Sequence, residues 1–200
     1  WRQIARGTAA HSTLVLNFAS SGRLHRRADL ERRMGAIPLV DPSSVDARVT
    51  IDADGAMELA AGHNGYVDRF GLTHSRLLRL SADGSRLEGI DRVYSPGVMG
   101  TLTAPLRGLR NIPFAAHFHI HPTATMIPGE EPQTIDIKLA NGEVWRLAAK
   151  GAEMSLEESI FQAHFAGPLR SVQAVLRGIA LDNTEIRWRI ERTTSPVRPV

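Results

Sequence analysis

Histidine is the residue type in this 200-residue sequence best suited to bind a metal or to move protons near neutral pH. The sequence contains eight histidines and no cysteine. A transition-metal site would therefore use imidazole and carboxylate ligands, and thiol nucleophiles are excluded. The histidines are His11, His25, His63, His74, His117, His119, His121 and His164.

Three of these histidines, His117, His119 and His121, alternate along a short apolar run. If the run is a strand, all three point to one face, and two imidazoles at this spacing can share one metal ion. Cupin barrels also use a His-x-His pair, but they need a carboxylate three or four residues later, and residues 122–125 include none. Packing of polar edges and exposure to solvent remain open, as does a metal enzyme complete within this chain.

The segment His63-Asn64-Gly65-Tyr66 predicts a turn in which glycine permits close backbone approach. Tyr66 and Tyr94 are the only tyrosines, so a tyrosine acid or base would have to be one of them. The alternative is a buried, hydrogen-bonded Tyr66. There is no Gly-x-Ser-x-Gly elbow, phosphate-binding loop or dinucleotide fingerprint, so the sequence does not indicate serine hydrolase or nucleotide chemistry.

The net charge of +3 comes from one short stretch. Outside it, basic and acidic residues are equal in number, which argues against a nucleic-acid-binding protein. We interpret the stretch as a solvated face, with weak, salt-sensitive contact to an anionic polymer as the alternative. The stretch contains Arg23, Arg26, Arg27, Arg32 and Arg33 against Asp29 and Glu31.

Short β-type runs separated by Asp-Gly, Asn-Gly and Asp-Asn turns dominate the chain. The clearest hairpin joins 135–139 to 144–147 through Asn141-Gly142, since this dipeptide tolerates the positive φ of tight turns. The pattern predicts an all-β fold, an antiparallel β-sandwich of about ten or more strands. The predicted strands are 12–18, 47–52, 57–61, 72–80, 87–94, 114–121, 134–139, 144–149, 169–177 and 185–192.

We expect residues 1–200 to form a single β-sandwich domain with one helical insertion over 26–34 and a loop over 95–113. No run approaches the roughly 18 apolar residues of a membrane-spanning helix. The chain opens on Trp1 and reaches a strand within a few residues. We therefore expect it to be a fragment of a longer protein.

Taken in order, several segments resemble the C-terminal β-sheet domain of the heparinase II/III-like polysaccharide lyase family. They are Thr8–Leu14, the His63–Tyr66 turn with Gly71–Arg76, Leu87–Arg92, Pro113–Pro122, Asn141–Arg146, Leu156–Ser159 and Ile186–Arg189. Each motif is weak alone, and their shared order over nearly the whole chain gives the resemblance its specificity.

The resemblance implies a partner domain, an N-terminal α-helical toroid that is absent from this chain. It also implies cleavage of an acidic, uronic-acid polysaccharide by β-elimination, in which a base removes the proton α to the carboxyl group and an acid protonates the leaving oxygen. A bacterial periplasm or cell envelope is the implied location. The alternative function is a non-catalytic carbohydrate-binding or scaffold module.

The same resemblance implies a zinc ion held by two histidines and one aspartate. His11 matches the last ligand, which opens a His-Asn-Thr motif in the family, and Ser12 replaces the asparagine. The other ligands and the catalytic tyrosine would lie upstream, so zinc would be completed outside this chain and we expect no lyase activity from the chain alone. Asn64 replaces the more usual aspartate, and no catalytic or substrate-binding residue is assigned. A core imidazole is the alternative role for His11.

Overall fold

Antiparallel β-strands make up most of the structure, a computed structural model that describes residues 5–24, 38–40, 42–97, 111–162, 164 and 167–194. A 3-10 turn at Thr8–Ala10 and a four-residue helix α1 (Val67–Phe70) accompany them. The strands are β1 (Leu14–Leu16), β2 (Arg23–Leu24), β3 (Pro38–Val40), β4 (Val45–Ile51), β5 (Met57–His63), β6 (Thr73–Leu80), β7 (Arg86–Tyr94), β8 (Ile112–His119), β9 (Thr125–Pro128), β10 (Thr134–Lys138), β11 (Val144–Lys150), β12 (Glu153–Phe161), β13 (Leu169–Ala180) and β14 (Thr184–Thr194).

Two antiparallel sheets form a sandwich, which confirms the predicted fold class. The smaller sheet has the order β1-β8-β13-β12, and the larger has the order β4-β5-β6-β7-β14-β11-β10-β9. Strands β2 and β3 form a separate pair. The hairpin predicted at Asn141-Gly142 is confirmed: β10 pairs with β11, and Gly142 has a φ of 86°.

The core lies between the two sheets because successive side chains of a strand point to opposite faces. Leu14 and Leu16 of β1 are completely buried, and the intervening Val15 points to the other face. The indole of Trp188 meets the ring of Phe118 edge to face across the sandwich, at 4.9 Å between centroids. These contacts place β1 and β8 above the central strands of the larger sheet.

The larger sheet is wider than the smaller one, and its β4–β5 end is exposed on the face that elsewhere lines the core. Val45, Val49 and Ile51 share the side of the sheet that carries His63 and His74. They are 69%, 53% and 67% exposed. An apolar face therefore remains open at this end of the sandwich.

Several details differ from the sequence prediction. Strands β2, β3, β9 and β12 were not predicted, because the first three are no longer than four residues and Glu158 and Phe161 interrupt the alternation of β12. Strand β8 ends at His119, so the predicted strand extends two residues too far: His121 lies in a turn, where Nδ1 bonds the hydroxyl of Thr123 at 2.8 Å. Its ring packs on Phe161 at 4.6 Å between centroids, on the face of β12 that also carries Ser159, the partner of His119. Helix α1 was also missed, while the predicted helix 26–34 and most of the predicted loop 95–113 lie outside the described residues. None of the helices in the described ranges is long and apolar enough to span a membrane.

Candidate functional site

A buried carboxylate on β7 is the centre of a group of hydrogen-bonded side chains. Asp91 is 0% exposed. Its Oδ1 accepts hydrogen bonds from Nε2 of His74 (2.8 Å) and Nε of Arg76 (2.7 Å). Its Oδ2 accepts from Nη2 of Arg76 and from Nε1 of Trp188, both at 2.9 Å. These four donors satisfy a charge that would otherwise be costly to bury.

Strand register brings this group together. Arg76 lies directly opposite Asp91, and His63 lies directly opposite His74. All four side chains point into the sandwich. The guanidinium of Arg76 also lies 5.6 Å from the ring centroid of Trp188, within cation–π distance. We call His63, His74, Arg76, Asp91 and Trp188 the Asp91 network.

The hydrogen bonds fix the tautomers of the two histidines. The backbone N–H of Gly65 donates to Nδ1 of His63 (3.2 Å), so neutral His63 carries its proton on Nε2. That nitrogen faces Nδ1 of His74 at 3.4 Å, and His74 then donates through Nε2 to Asp91. The lone pair of His63 is occupied by a backbone amide, so this imidazole is not placed to take a proton from a substrate.

Burial and neighbouring charges set the ionisation states of the network. Burial, and to a lesser extent the nearby His74, lowers the pKa of His63 from 6.5 to about 4. Burial raises the pKa of Asp91, but hydrogen bonds from His74 and Arg76 and the charge of Arg76 outweigh it and bring the pKa to about 2. At neutral pH the network therefore contains neutral His63 and ionised Asp91.

The chain segment His11–Leu14, which we call the His11 segment, is held by hydrogen bonds from the Asp91 network, from Tyr66 and from β8. Nη1 of Arg76 donates to the backbone oxygen of Ser12 at 2.6 Å. The hydroxyl of Tyr66, which is 0% exposed, donates to the backbone oxygen of Leu14 at 3.1 Å. From β8, the backbone N–H groups of His119 and His117 donate to Ser12 Oγ (3.0 Å) and to the Thr13 oxygen (2.9 Å).

Tyr66 is therefore the buried, hydrogen-bonded tyrosine that the sequence left open as an alternative. Burial raises the pKa of its phenol to about 12. Asn64, in the same turn, accepts from the backbone N–H of Ser44 (3.0 Å) and donates to the hydroxyl of Ser43 (2.7 Å). The turn thus holds backbone segments in place and does not present an acid or a base.

His11 lies at the end of the 3-10 turn with an exposed side chain. Its backbone N–H donates to the Thr8 oxygen at 3.1 Å. Because its imidazole is exposed, His11 is not a core histidine. The hydrogen bonds to the backbone of Ser12, Thr13 and Leu14 fix the position of the chain next to it.

His117 and His119 share the outer face of the smaller sheet, with nearly parallel rings 5.8 Å apart. Both nitrogens of His119 are engaged, Nδ1 with the Ser159 hydroxyl (2.8 Å) and Nε2 with the Ala9 oxygen (2.9 Å). Burial lowers the pKa of His119; the hydrogen bond to Ala9 opposes this, while the charges of His117 and His11 add to it. These histidines are held by hydrogen bonds to the protein, with His11 nearby.

Within the described ranges, no three His, Asp or Glu side chains come together in a way that could hold a metal ion. Most of the basic stretch 23–33 lies outside the described residues, so its proposed role stays a prediction.

The sequence did not lead us to predict that Arg76, Asp91 and Trp188 interact. A usable signal was present in the strand alternation. In β7, Asp91 has the same parity as the core residue Val93, and a charged residue at a core-facing position needs a partner. Arg76 occupies the matching core-facing position of the neighbouring strand.

The protein is thus an antiparallel β-sandwich in which hydrogen bonds hold the His11 segment at the edge of the smaller sheet. The sequence matches the family described as Heparinase II/III-like, C-terminal, over residues 1–189. The chain belongs to this family. No curated protein matches the sequence.

Solved structures of similar fold include the heparan sulfate lyase HepC from Pedobacter heparinus, with a TM-score of 0.66, 12% identity and 100% of this chain covered. Heparinase III, the BT4657 gene product, gives a TM-score of 0.64 with 12% identity and 98% of this chain covered. The chain spans 26% of the length of each of these proteins. At these identities the likeness shows the fold alone.

The titration of His63 predicts how stability depends on pH. Above about pH 6.5 His63 is neutral whether the chain is folded or unfolded. Between about pH 6.5 and pH 4 the unfolded chain binds the proton more readily, so stability falls as the pH falls. We expect a loss of about 1–2 kcal/mol over this range after allowance for partial exposure.

Urea denaturation at a series of pH values measures this loss. His63→Asn should reduce the slope above pH 4, leaving the smaller part that His119 contributes through its own lowered pKa, whereas His121→Asn, at an exposed turn histidine, should leave the slope in place. An unchanged slope in His63→Asn would contradict the assignment. Asp91, with its lowered pKa, contributes only at still lower pH, below its unfolded value of 3.8.

Proposed function

We propose that this chain is the β-sandwich domain of a polysaccharide lyase that cleaves an acidic, uronic-acid glycan by β-elimination. The observation that carries the proposal is the family match over residues 1–189. The shared fold with a heparan sulfate lyase along the whole chain supports it.

In such a reaction a base removes the proton α to the uronate carboxyl group, the electrons form a carbon–carbon double bond, and the glycosidic oxygen leaves with a proton from an acid. Neither His63 nor Tyr66 is placed for these steps. The backbone N–H of Gly65 occupies the lone pair of the His63 imidazole, and the side chain of Tyr66 is buried. We propose that the acid and base come from the rest of the protein. This domain then holds the His11 segment in a fixed position beside them.

Zinc is the metal that the resemblance implies, and an exposed imidazole at His11 fits one position of its usual nitrogen and oxygen ligand set. We propose that one histidine and one aspartate of the preceding part of the protein complete the set. Zinc would supply a fixed positive charge and join the two parts of the chain. Arg76 and Tyr66 would serve by holding the backbone next to His11.

The open apolar face of β4 and β5 supports a further partner within the same protein. Large exposed apolar surfaces are rare on isolated proteins and mark contact sites. We propose that the N-terminal helical domain is that partner and that the protein works in the periplasm or cell envelope of a bacterium.

The proposed function is tested by incubating this chain, and separately the longer protein, with heparan sulfate, heparin, alginate and polygalacturonate. Unsaturated uronate absorbance reports turnover. We expect turnover by the longer protein and none by the chain alone. Turnover by the chain alone would contradict our assignment of the acid and base, and no turnover by either would favour a non-catalytic carbohydrate-binding or scaffold module.

His11→Ala in the longer protein should remove most of the bound zinc, because loss of one of three protein ligands weakens a zinc site by orders of magnitude. Metal analysis after dialysis measures the zinc content per chain. His121→Ala is the matched control, since His121 is also exposed but lies in the turn after β8. Equal zinc content in the wild type and His11→Ala would remove the ligand assignment.

A further inference from the structure

A groove of about 630 Å³ lies over the outer face of the larger sheet, on the side opposite to the core. Strands β7, β14, β11 and β10 form its floor, and the connection 131–133 forms one wall. Its volume is in the range of small-ligand sites. The Asp91 network and Tyr66 point into the sandwich, so the groove is separate from the surface that carries His11.

The groove forms because the side chain of Ala148 is short and the side chains around it are longer. Ala148 points outward from β11, with Arg189 opposite on one side and Thr134 opposite on the other. The methyl group of Ala148 leaves space that the flanking side chains and the Gln133 wall enclose. Gln133 is itself held rigidly, because its side-chain oxygen accepts from the Met154 backbone N–H at 2.6 Å and its backbone oxygen accepts from the Ala149 N–H at 3.2 Å.

Two cations stand side by side at one end of the groove. Lys150 of β11 and Arg187 of β14 are directly opposite each other on neighbouring strands. Like charges in such positions repel, so this pairing lowers the stability of the sheet. A negatively charged ligand placed between them would relieve the repulsion.

Acidic residues also lie at this groove: Glu88 and Glu131 line it, and the charge of Glu131 acts on Arg146 of β11. Glu185 is shared, accepting from Arg92 on one side and from Arg187 on the other. Arg189 lies opposite Glu88 and pairs with Glu191 at 3.1 Å, so its charge is offset. Among the described residues no carboxylate forms an ion pair with Lys150. The positive charge at this end of the groove is therefore that of Lys150, beside an Arg187 that shares Glu185 with Arg92.

We propose that this groove is an accessory binding site for an anionic oligosaccharide, with Lys150 and Arg187 contacting its carboxylate or sulfate groups and a sugar ring lying over Ala148. The class of ligand rests on the proposed function, whereas the position of the site rests on the groove itself. Such a site would hold the polymer on a face distinct from the one that carries His11.

The test measures binding of a heparin-derived hexasaccharide to this 200-residue chain by isothermal titration calorimetry at low salt, with a neutral dextran hexasaccharide for comparison. We expect binding of the heparin fragment only, weakened by added salt. Lys150→Gln should weaken it about fivefold or more, which is the effect of losing one partly screened ionic contact. Ala148→Phe, which fills the groove without changing the charge, should abolish most of it.

Arg48→Gln is the matched control, because Arg48 is an exposed cation on the same outer face, on β4 and outside the groove. If Arg48→Gln weakens binding as much as Lys150→Gln, the attraction is nonspecific and the proposal is overturned. Unchanged affinity in both groove variants, or no binding by the wild type, also overturns it. Unaltered thermal unfolding of Lys150→Gln shows that its loss of binding is not a loss of folding.

The same variants separate this site from the proposed function. If the longer protein carrying Ala148→Phe still cleaves short uronate oligosaccharides while its affinity for long chains falls, both proposals are supported. If the longer protein cleaves no uronate polymer but the groove still binds heparin fragments, the lyase assignment fails and the groove stands.

Discussion

Asp91→Asn is expected to lower the free energy of unfolding by about 3–5 kcal/mol, the cost of breaking a buried ion pair by removing one partner. An asparagine amide is neutral and turns one of its two ends into a donor. It cannot satisfy the four hydrogen bonds that His74, Arg76 and Trp188 direct at Asp91. The side chain of Arg76, only 15% exposed, would be left without its carboxylate.

Urea denaturation at neutral pH measures this effect. Asp52→Asn is the matched control, since Asp52 pairs with Arg79 at 2.9 Å but both side chains are nearly half exposed. We expect the control to cost less than about 1 kcal/mol. A similarly small loss for Asp91→Asn would show that Asp91 is not the electrostatic centre of the sandwich.

Gly89→Ala is expected to lower stability by about 3 kcal/mol, combining an overpacked core with a strained or lost hydrogen bond. Gly89 lies directly opposite Trp188, and an added methyl group would overlap the indole ring. The ring cannot shift freely, because it packs on Phe118 and donates to Asp91. Glycine is required here by the close approach of the indole.

The comparison for this variant is Gly62→Ala, at another strand glycine of the same sheet. A methyl group there would meet its nearest atoms at 3.5–3.6 Å, which is ordinary contact. We expect Gly62→Ala to change stability by less than about 1 kcal/mol. Thermal unfolding together with the near-ultraviolet circular dichroism of the indole distinguishes the two, and equal stability of both variants would contradict the packing account.

The fold class was predictable because strand alternation and turn chemistry are local properties. Asn141-Gly142 determines a hairpin through the φ values its residues tolerate, and the flanking strands follow the predicted alternation. Strand β12 escaped prediction because polar and apolar residues of Glu153–Phe161 do not alternate cleanly. The end of β8 escaped as well, since nothing local to the run from His117 to His121 shows that pairing stops at His119.

The sequence alone determined the all-β class, the absence of thiol chemistry and the resemblance that led to His11. Only the tertiary structure decided which of the chemically capable residues meet. Arg76 and Asp91 lie on the consecutive strands β6 and β7, Trp188 lies 97 residues after Asp91 on β14, and the register of the three strands joins them. The charged groove likewise depends on the register that places Lys150 opposite Arg187. Register is set by the whole set of core contacts, so short motifs do not reveal it.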